Sequence, residues 1–201
     1  MSDGLRERKK AETRAALSSA ALRLAEAQGP DRVTVESIAE AAGVSTRTFF
    51  NYFPTKDDAI LGIDPAEQSE LVEDLRGRPA DEAPLAALRA TALDMAGRLE
   101  TQADELMARH HLAQRHPALA VRRAARLAEG ERALVEEIAV RTGLDPDDDP
   151  YPTLVVAAAL AALRAGMTVW YEGNRPESLA EVLAATFDQL AAGLPVPALV
   201  R

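Results

Sequence analysis

The 201-residue chain contains no cysteine, so neither disulfide bonds nor thiolate chemistry is open to it. Aromatic residues are scarce at 4%, and the apolar 47% comes largely from alanine and leucine. A composition so rich in helix formers and so poor in strand formers points to an all-α fold. Histidine is limited to His110, His111 and His116. The first two are adjacent on a helical pattern and point to different faces, which makes a poor two-ligand metal site. No phosphate loop and no HExxH pattern occurs. The reading is therefore no enzyme, with no catalytic residue, no metal site and no cofactor.

Membrane and secretion signals are also missing. The N-terminus MSDGLRERKKAETR is polar and basic, without the apolar stretch of a secretory signal. The strongest apolar run, Leu154 to Leu163, is too short to cross a bilayer and is soon interrupted by Arg164. The expectation is a cytoplasmic protein with no membrane partner, this run lying in a buried helix. The acidic run DPDDDP at 145–150 lacks calcium-loop spacing and a terminal glutamate. Helix capping by Asp149 ahead of Pro150 suits it better.

Charge is unevenly divided. The formal net charge is −9, yet residues 1–60 hold nine basic and nine acidic side chains, so the remainder carries the whole excess. Arg6, Arg8, Lys9, Lys10 and Arg14 precede or open the first helical pattern, as an arm lying along phosphates or as a solvated terminus. The acidic remainder would oppose nonspecific coating of DNA.

Most of the functional information lies in VTVESIAEAAGVSTRTFFNYFPTKDDA, residues 33–59. Two short helical patterns flank Gly43. The first is capped by Thr34 and buries Ile38, Ala39 and Ala42. The second is capped by Ser45 and buries Phe49 and Phe53, leaving Thr46, Arg47, Thr48, Asn51 and Tyr52 outward. Helices joined so tightly must cross steeply, and Gly43 tolerates the positive φ this bend needs. Such a layout is a helix-turn-helix that delivers its second helix to a DNA major groove. An earlier helix from about Lys10 to Gln28, with the inner stripe Leu17, Ala20, Ala21, Leu24 and Ala25, completes the head and stops at Gly29-Pro30. A fourth helix opens at Thr55, with Asp58 placed for a capping box.

This stretch resembles the DNA-binding domain of TetR-type transcriptional regulators. The matching residues are Thr34 and Val35, Ile38 and Ala39, Ala42 to Ser45, Thr48 through Phe53, and Lys56. The resemblance is specific over residues 10–60, and beyond them only helical organisation and length agree. It implies phosphate contacts from Thr34, Thr48, Phe50, Tyr52 and Lys56. Phe50 stands where a tyrosine is common, so one hydroxyl contact is lost; Tyr52 matches the family's second aromatic. Asn51 stands where histidine is frequent, and Arg47 replaces a common glycine with a five-donor fork. Thr46, Arg47 and Asn51 are the candidates for base reading. For Arg47, a phosphate contact or a solvated side chain remains open. The DNA-binding set is Thr34, Ser45, Thr46, Arg47, Thr48, Asn51, Tyr52 and Lys56.

The domain reading is residues 1–54 as arm and DNA-binding head, and 55–201 as connecting helix plus ligand-binding and dimerisation body of about six helices. Residues 62–83 read as an extension of the fourth helix or a short extra helix, then a flexible connection. Helical patterns follow at 84–100, 101–114, 117–140, 151–172 and 177–191, punctuated at His116-Pro117, Gly143–Pro150 and Gly173–Pro176. The alanine-rich helix from Tyr151 is apolar around much of its circumference, and small residues permit close helix approach. The resemblance implies that the last two helices form a dimer interface; an ordinary monomer core also fits.

The resemblance implies, too, a small effector inside the body. Met95, Leu99, Leu106, Met107, His110, Met167 and Trp170 are candidates to line its cavity, and packing core is the other reading of each. Arg122, Arg123 and Arg126 form a basic cluster that either meets an anionic ligand or is solvated. HPALAVRR and YPTLVVAAALAALRAGMTVW also resemble the bodies of actinobacterial regulators of mycofactocin or acyl-thioester metabolism, which implies a hydrophobic, acyl-type effector. The functional expectation is a ligand-responsive repressor that binds a palindromic DNA operator as a homodimer. A helical protein-interaction module without specific DNA binding is the alternative.

Overall fold

The computed structural model describes residues 2–63, 65–173 and 178–195. Ten α-helices are formed among these residues: α1 (Ser2–Gln28), α2 (Val35–Ala41), α3 (Thr46–Phe50), α4 (Lys56–Leu61), α5 (Pro65–Arg76), α6 (Pro84–Glu100), α7 (Ala103–Arg115), α8 (Pro117–Thr142), α9 (Tyr151–Glu172) and α10 (Leu179–Ala191). The fold is all-α, and the predicted patterns correspond to α6 through α10. The extra-helix reading of residues 62–83 is realised as α5. The predicted break at Gly173–Pro176 falls largely outside the described residues, as does the predicted start at 177.

The chain packs as two units, residues 1–67 with 104–127 and residues 68–103 with 128–201. In the first, α1 stops at Gly29, and the buried Pro30 opens a single 3-10 turn, Pro30–Arg32. Thr34 then caps α2 in a reciprocal box with Ser37: each side chain accepts from the other residue's backbone N–H, at 3.1 and 3.2 Å. Gly43 ends α2 at φ 68°, and the N–H groups of Gly43 and Val44 donate back to the carbonyls of Glu40 and Ala39. A side chain at that φ would be strained, so glycine fixes the bend of the helix-turn-helix.

Leu17, Ala20, Ala21, Ile38, Phe49, Phe53 and Ile60 form one buried core with Leu112, Ala113 and Leu119 from α7 and α8. Phe49 and Phe53 are 0% and 1% exposed with ring centroids 5.9 Å apart. Burial of each such ring contributes about 1.5–3 kcal/mol. On α1, Leu22 is fully buried and Leu24 only half-buried. The expected stripe is shifted because α7 and the start of α8 share this core and widen the arc of α1 that is covered.

The second unit is knit by Leu75, Leu88, Leu134, Ile138, Val156, Ala159 and Phe187. A Cβ on Gly166 would lie 2.5 Å from Leu183 Cδ2, so α9 and α10 approach closely only because that side chain is missing. Arg141 of α8 donates to the carbonyls of Leu75 and Arg78 at 2.8 and 3.2 Å, tying α8 to the end of α5 and the turn after it. The Asp149 carboxylate accepts from the N–H of Tyr151, the first residue of α9, at 2.8 Å, while the N-cap position itself is Pro150, which brings no side-chain bond.

One expectation fails here. The apolar run 154–163 belongs to a 22-residue helix, and less than a third of that helix's apolar stretch is buried. Leu154 is 64% exposed and Val169 40%. By length and composition alone α9 is the one described helix that would cross a membrane. The run is not a buried core helix within a single chain, because the second unit supplies neighbours for only part of its circumference.

Candidate nucleic-acid interface and effector cavity

Ser45 caps α3, its Oγ accepting from Thr48 N–H at 3.1 Å and lying 2.8 Å from Thr48 Oγ1. Thr46 and Arg47, the next two residues, are exposed, as are Thr34, Ser45 and Asn51. Thr48, Tyr52 and Lys56 are half-buried. The helix is shorter than its sequence suggested. Asn51 is its C-cap, and Tyr52 sits in the turn beyond, so neither stands on the helical face. Phe49 closes this segment from beneath, and Phe50, 58% exposed, stacks edge-on against it with centroids 5.4 Å apart.

A short helix backed by buried rings thus presents hydroxyls, one amide and one guanidinium to solvent. These donors suit phosphate oxygens and base edges, and the Arg47 fork matches guanine O6 and N7. Arg14 of α1 lies over the Tyr52 ring at 5.8 Å from its centroid, a cation–π contact that constrains the ring. Lys56 differs from the rest: its Nζ donates to the carbonyls of Pro30 and Val33 at 2.8 and 2.9 Å.

Sequence reasoning placed Asp58 in a capping box but missed that it is buried and paired. Asp58 is fully buried; its carboxylate accepts from Arg122 Nε and the second guanidinium nitrogen at 2.8 and 2.7 Å and from Thr55 Oγ1 at 2.7 Å. Arg126 Nε lies 3.7 Å away. Burial pushes the Asp58 carboxyl upward, but the Arg122 and Thr55 hydrogen bonds and the charges of Arg122 and Arg126 outweigh it and hold the group below its ordinary 3.8. Thr55 does cap α4, accepting from Asp58 N–H at 3.1 Å, while the carboxylate expected in a capping box is drawn to Arg122. Arg122 and Arg126 are accordingly half-buried and turned toward the Asp58 carboxylate, rather than forming a free basic patch. Arg123, the third of that cluster, approaches His110 Nδ1 at 3.4 Å. A separation of 64 residues leaves no local pattern that would have paired Asp58 with Arg122.

The second unit holds a small cavity of about 30 Å³, lined by side chains that include Leu88, Met95, Leu134, Val156, Leu163 and Phe187. Thr91 also borders it, but its hydroxyl proton is committed to Ala87 O at 2.9 Å, so its oxygen can only accept and the lining is otherwise apolar. Of the predicted effector contacts, Met95 lines this cavity. Leu99, Met167 and Trp170 pack in the adjoining cluster around Ala96, Leu179 and Leu183. Leu106 and His110 belong to the first unit.

Residues 17–61 match the family model described as bacterial regulatory proteins of the tetR family, and residues 82–195 match the MftR C-terminal domain. The chain belongs to the TetR family of transcriptional regulators. It is 37% identical over 191 residues to the HTH-type transcriptional regulator TcmR of Streptomyces glaucescens, covering 92% of this chain and 84% of that one. Among solved TetR-like structures, Bacillus subtilis FadR, in complex with stearoyl-CoA, superposes with TM-score 0.61 at 18% identity, over 90% of this chain and 99% of that one. Thermus thermophilus FadR, a TetR-family repressor in complex with lauroyl-CoA, gives 0.53 at 24% identity, over 94% and 98%. As a TetR-family member the chain is a DNA-binding regulator and not an enzyme. No group of residues suited to a metal ion occurs among those described.

Proposed function

We propose that the protein is a ligand-responsive repressor that binds a palindromic operator as a homodimer. The observation that carries this reading is the exposed set Thr46, Arg47 and Asn51 on a segment whose underside is closed by Phe49 and Phe53. Thr34, Ser45, Thr48 and Tyr52 supply phosphate contacts around it. The functional division falls at residue 54: residues 1–54 read DNA, and 55–201 carry dimerisation and effector binding in the cytoplasm.

The apolar surface of α9 supports the dimer. Tyr151, Leu154, Ala158, Ala161, Ala165 and Thr168 recur at alternating spacings of three and four, the seam along which two helices pack. Five of the six are exposed in the single chain, and Ala158 is partly so. A second copy would bury them, and Leu154→Lys is expected to convert the dimer to monomer in sedimentation. Two heads so joined can read half-sites about 34–36 Å apart.

The effector we propose is a hydrophobic acyl compound. The cavity, apolar apart from the Thr91 hydroxyl oxygen, favours hydrocarbon, since most polar groups placed there would lose hydration without replacement. Its small volume in this state means that a chain must part the helices to enter, so binding favours a state other than this one. The acyl-CoA complexes of the two FadR proteins support the same class. MftR-like membership of the body fits an actinobacterial regulator of this kind.

Selecting bound fragments from a library of genomic DNA tests the reading, followed by challenge with lauroyl-CoA. Enrichment of a palindrome that lauroyl-CoA releases is expected. Absence of any enriched duplex overturns the regulator in favour of a protein-interaction module, and a palindrome indifferent to acyl-CoA overturns only the effector.

A further inference from the structure

The resemblance of the head to its family assigns Lys56 to DNA phosphate, but the geometry points to another task. We propose that Lys56 is a positioning residue that fixes the start of α2 against the start of α4, and so holds Thr34 in place for DNA. Its DNA part rests on the regulator reading above.

Lys56 is the first residue of α4, where the positive end of the helix dipole disfavours a cation. It is nonetheless half-buried there, with Nζ bonded to Pro30 O and Val33 O at 2.8 and 2.9 Å. An ammonium has three donors, so two are committed inside the protein. The carbonyls it joins bracket the 3-10 turn: Pro30 opens it, and Val33 closes it with an N–H bond to the same Pro30 carbonyl. Val33 is also the residue before Thr34, the cap of α2. One ammonium therefore adds to the turn's own Val33 N–H bond a tie from α4 to both of its ends, 26 and 23 residues away in sequence. Charge-assisted bonds of this kind are roughly twice as strong as neutral ones, which suits a strut better than a mobile phosphate arm. Any shift of α4 would be carried through Lys56 to Val33 and Thr34.

The test combines two readouts on Lys56→Met and Lys56→Gln. Hydrogen exchange of the free protein needs no DNA, and binding to the selected palindrome is measured against salt concentration. A strut gives faster exchange at the amides of residues 33–38 in Lys56→Met, operator affinity down about tenfold or more, and a salt slope unchanged. Lys56→Gln, which keeps a neutral donor, should recover part of both losses. A phosphate contact instead lowers the salt slope by about 0.9 in both variants and leaves exchange untouched. That result, or unchanged exchange with an unchanged slope, overturns the proposal. If the wild-type chain binds no duplex, the regulator reading fails while the exchange measurement still decides whether Lys56 is a strut.

Discussion

The two packing units differ most in what they leave uncovered. In the first, Phe49 and Phe53 are drawn inside while hydroxyl, amide and guanidinium groups face solvent at Thr46, Arg47 and Asn51, with Phe50, Val121 and Leu127 as its exposed large apolar side chains. In the second, Leu154, Val169 and Val140 stand exposed, at 64%, 40% and 78%. A polar surface on a rigid apolar base suits a hydrated polyanion, whereas an apolar helix face suits another apolar face. Their buried acids differ as well. Asp58 is fully enclosed by Arg122, Arg126 and Thr55, while Glu137 meets an Arg76 that remains largely exposed.

The strongest way to break the contrast is to empty the base of the α3 segment. Phe49→Ala is expected to cost about 3–5 kcal/mol and to abolish specific DNA binding, read by denaturant unfolding and gel shift. Retained operator affinity would show that the rings do not set the segment. In the other unit, Gly166→Ala places a methyl group where Leu183 Cδ2 and Thr186 Oγ1 stand at 2.5 and 3.1 Å. A loss of about 1–3 kcal/mol is expected, again by denaturant unfolding. A neutral result would mean that α9 and α10 have room to separate.

Arg47→Ala sharpens the polar side of the comparison. Its expected cost is about 1–3 kcal/mol on the specific duplex, with a smaller change on random DNA. Equal changes in a competition assay would reduce Arg47 to a phosphate contact. The smallest effect is a pH dependence from Asp58. Its carboxyl is held below the ordinary value in the folded chain, so its contribution is full above about pH 4 and fades as pH falls through the lowered folded value. Between about pH 5 and 3, Asp58→Asn should therefore lose less stability than wild type. Parallel curves would remove Asp58 from the account.

Local patterns were readable in the sequence because their causes are local. Thr34, Ser45 and Thr55 act as caps where their spacing to the next apolar residues placed them, and Gly43 has the positive φ that the bend requires. Predicted helix limits in the body are met within a few residues at α6, α8 and α9, where proline or glycine marks the ends. What stayed hidden is long-range or one-sided. The Asp58–Arg122 pair joins residues 64 positions apart, and the Lys56 carbonyl bonds span 23 and 26. The exposed face of α9 was hidden for another reason: a helix apolar around its circumference reads the same whether its neighbours come from one chain or two. The candidate contact residues of the head were chosen from types and spacings, but the early end of α3 before Asn51 was not legible, since Asn51 and Tyr52 continue the apparent periodicity.

The most direct measurement is affinity for the selected duplex and for random duplex of equal length, titrated over salt. Our account expects the selected duplex to bind at least about 10³-fold more tightly, two subunits per duplex, with log affinity falling linearly in log salt for both. Equal affinity for the two duplexes, or no binding to either at low salt, would contradict it.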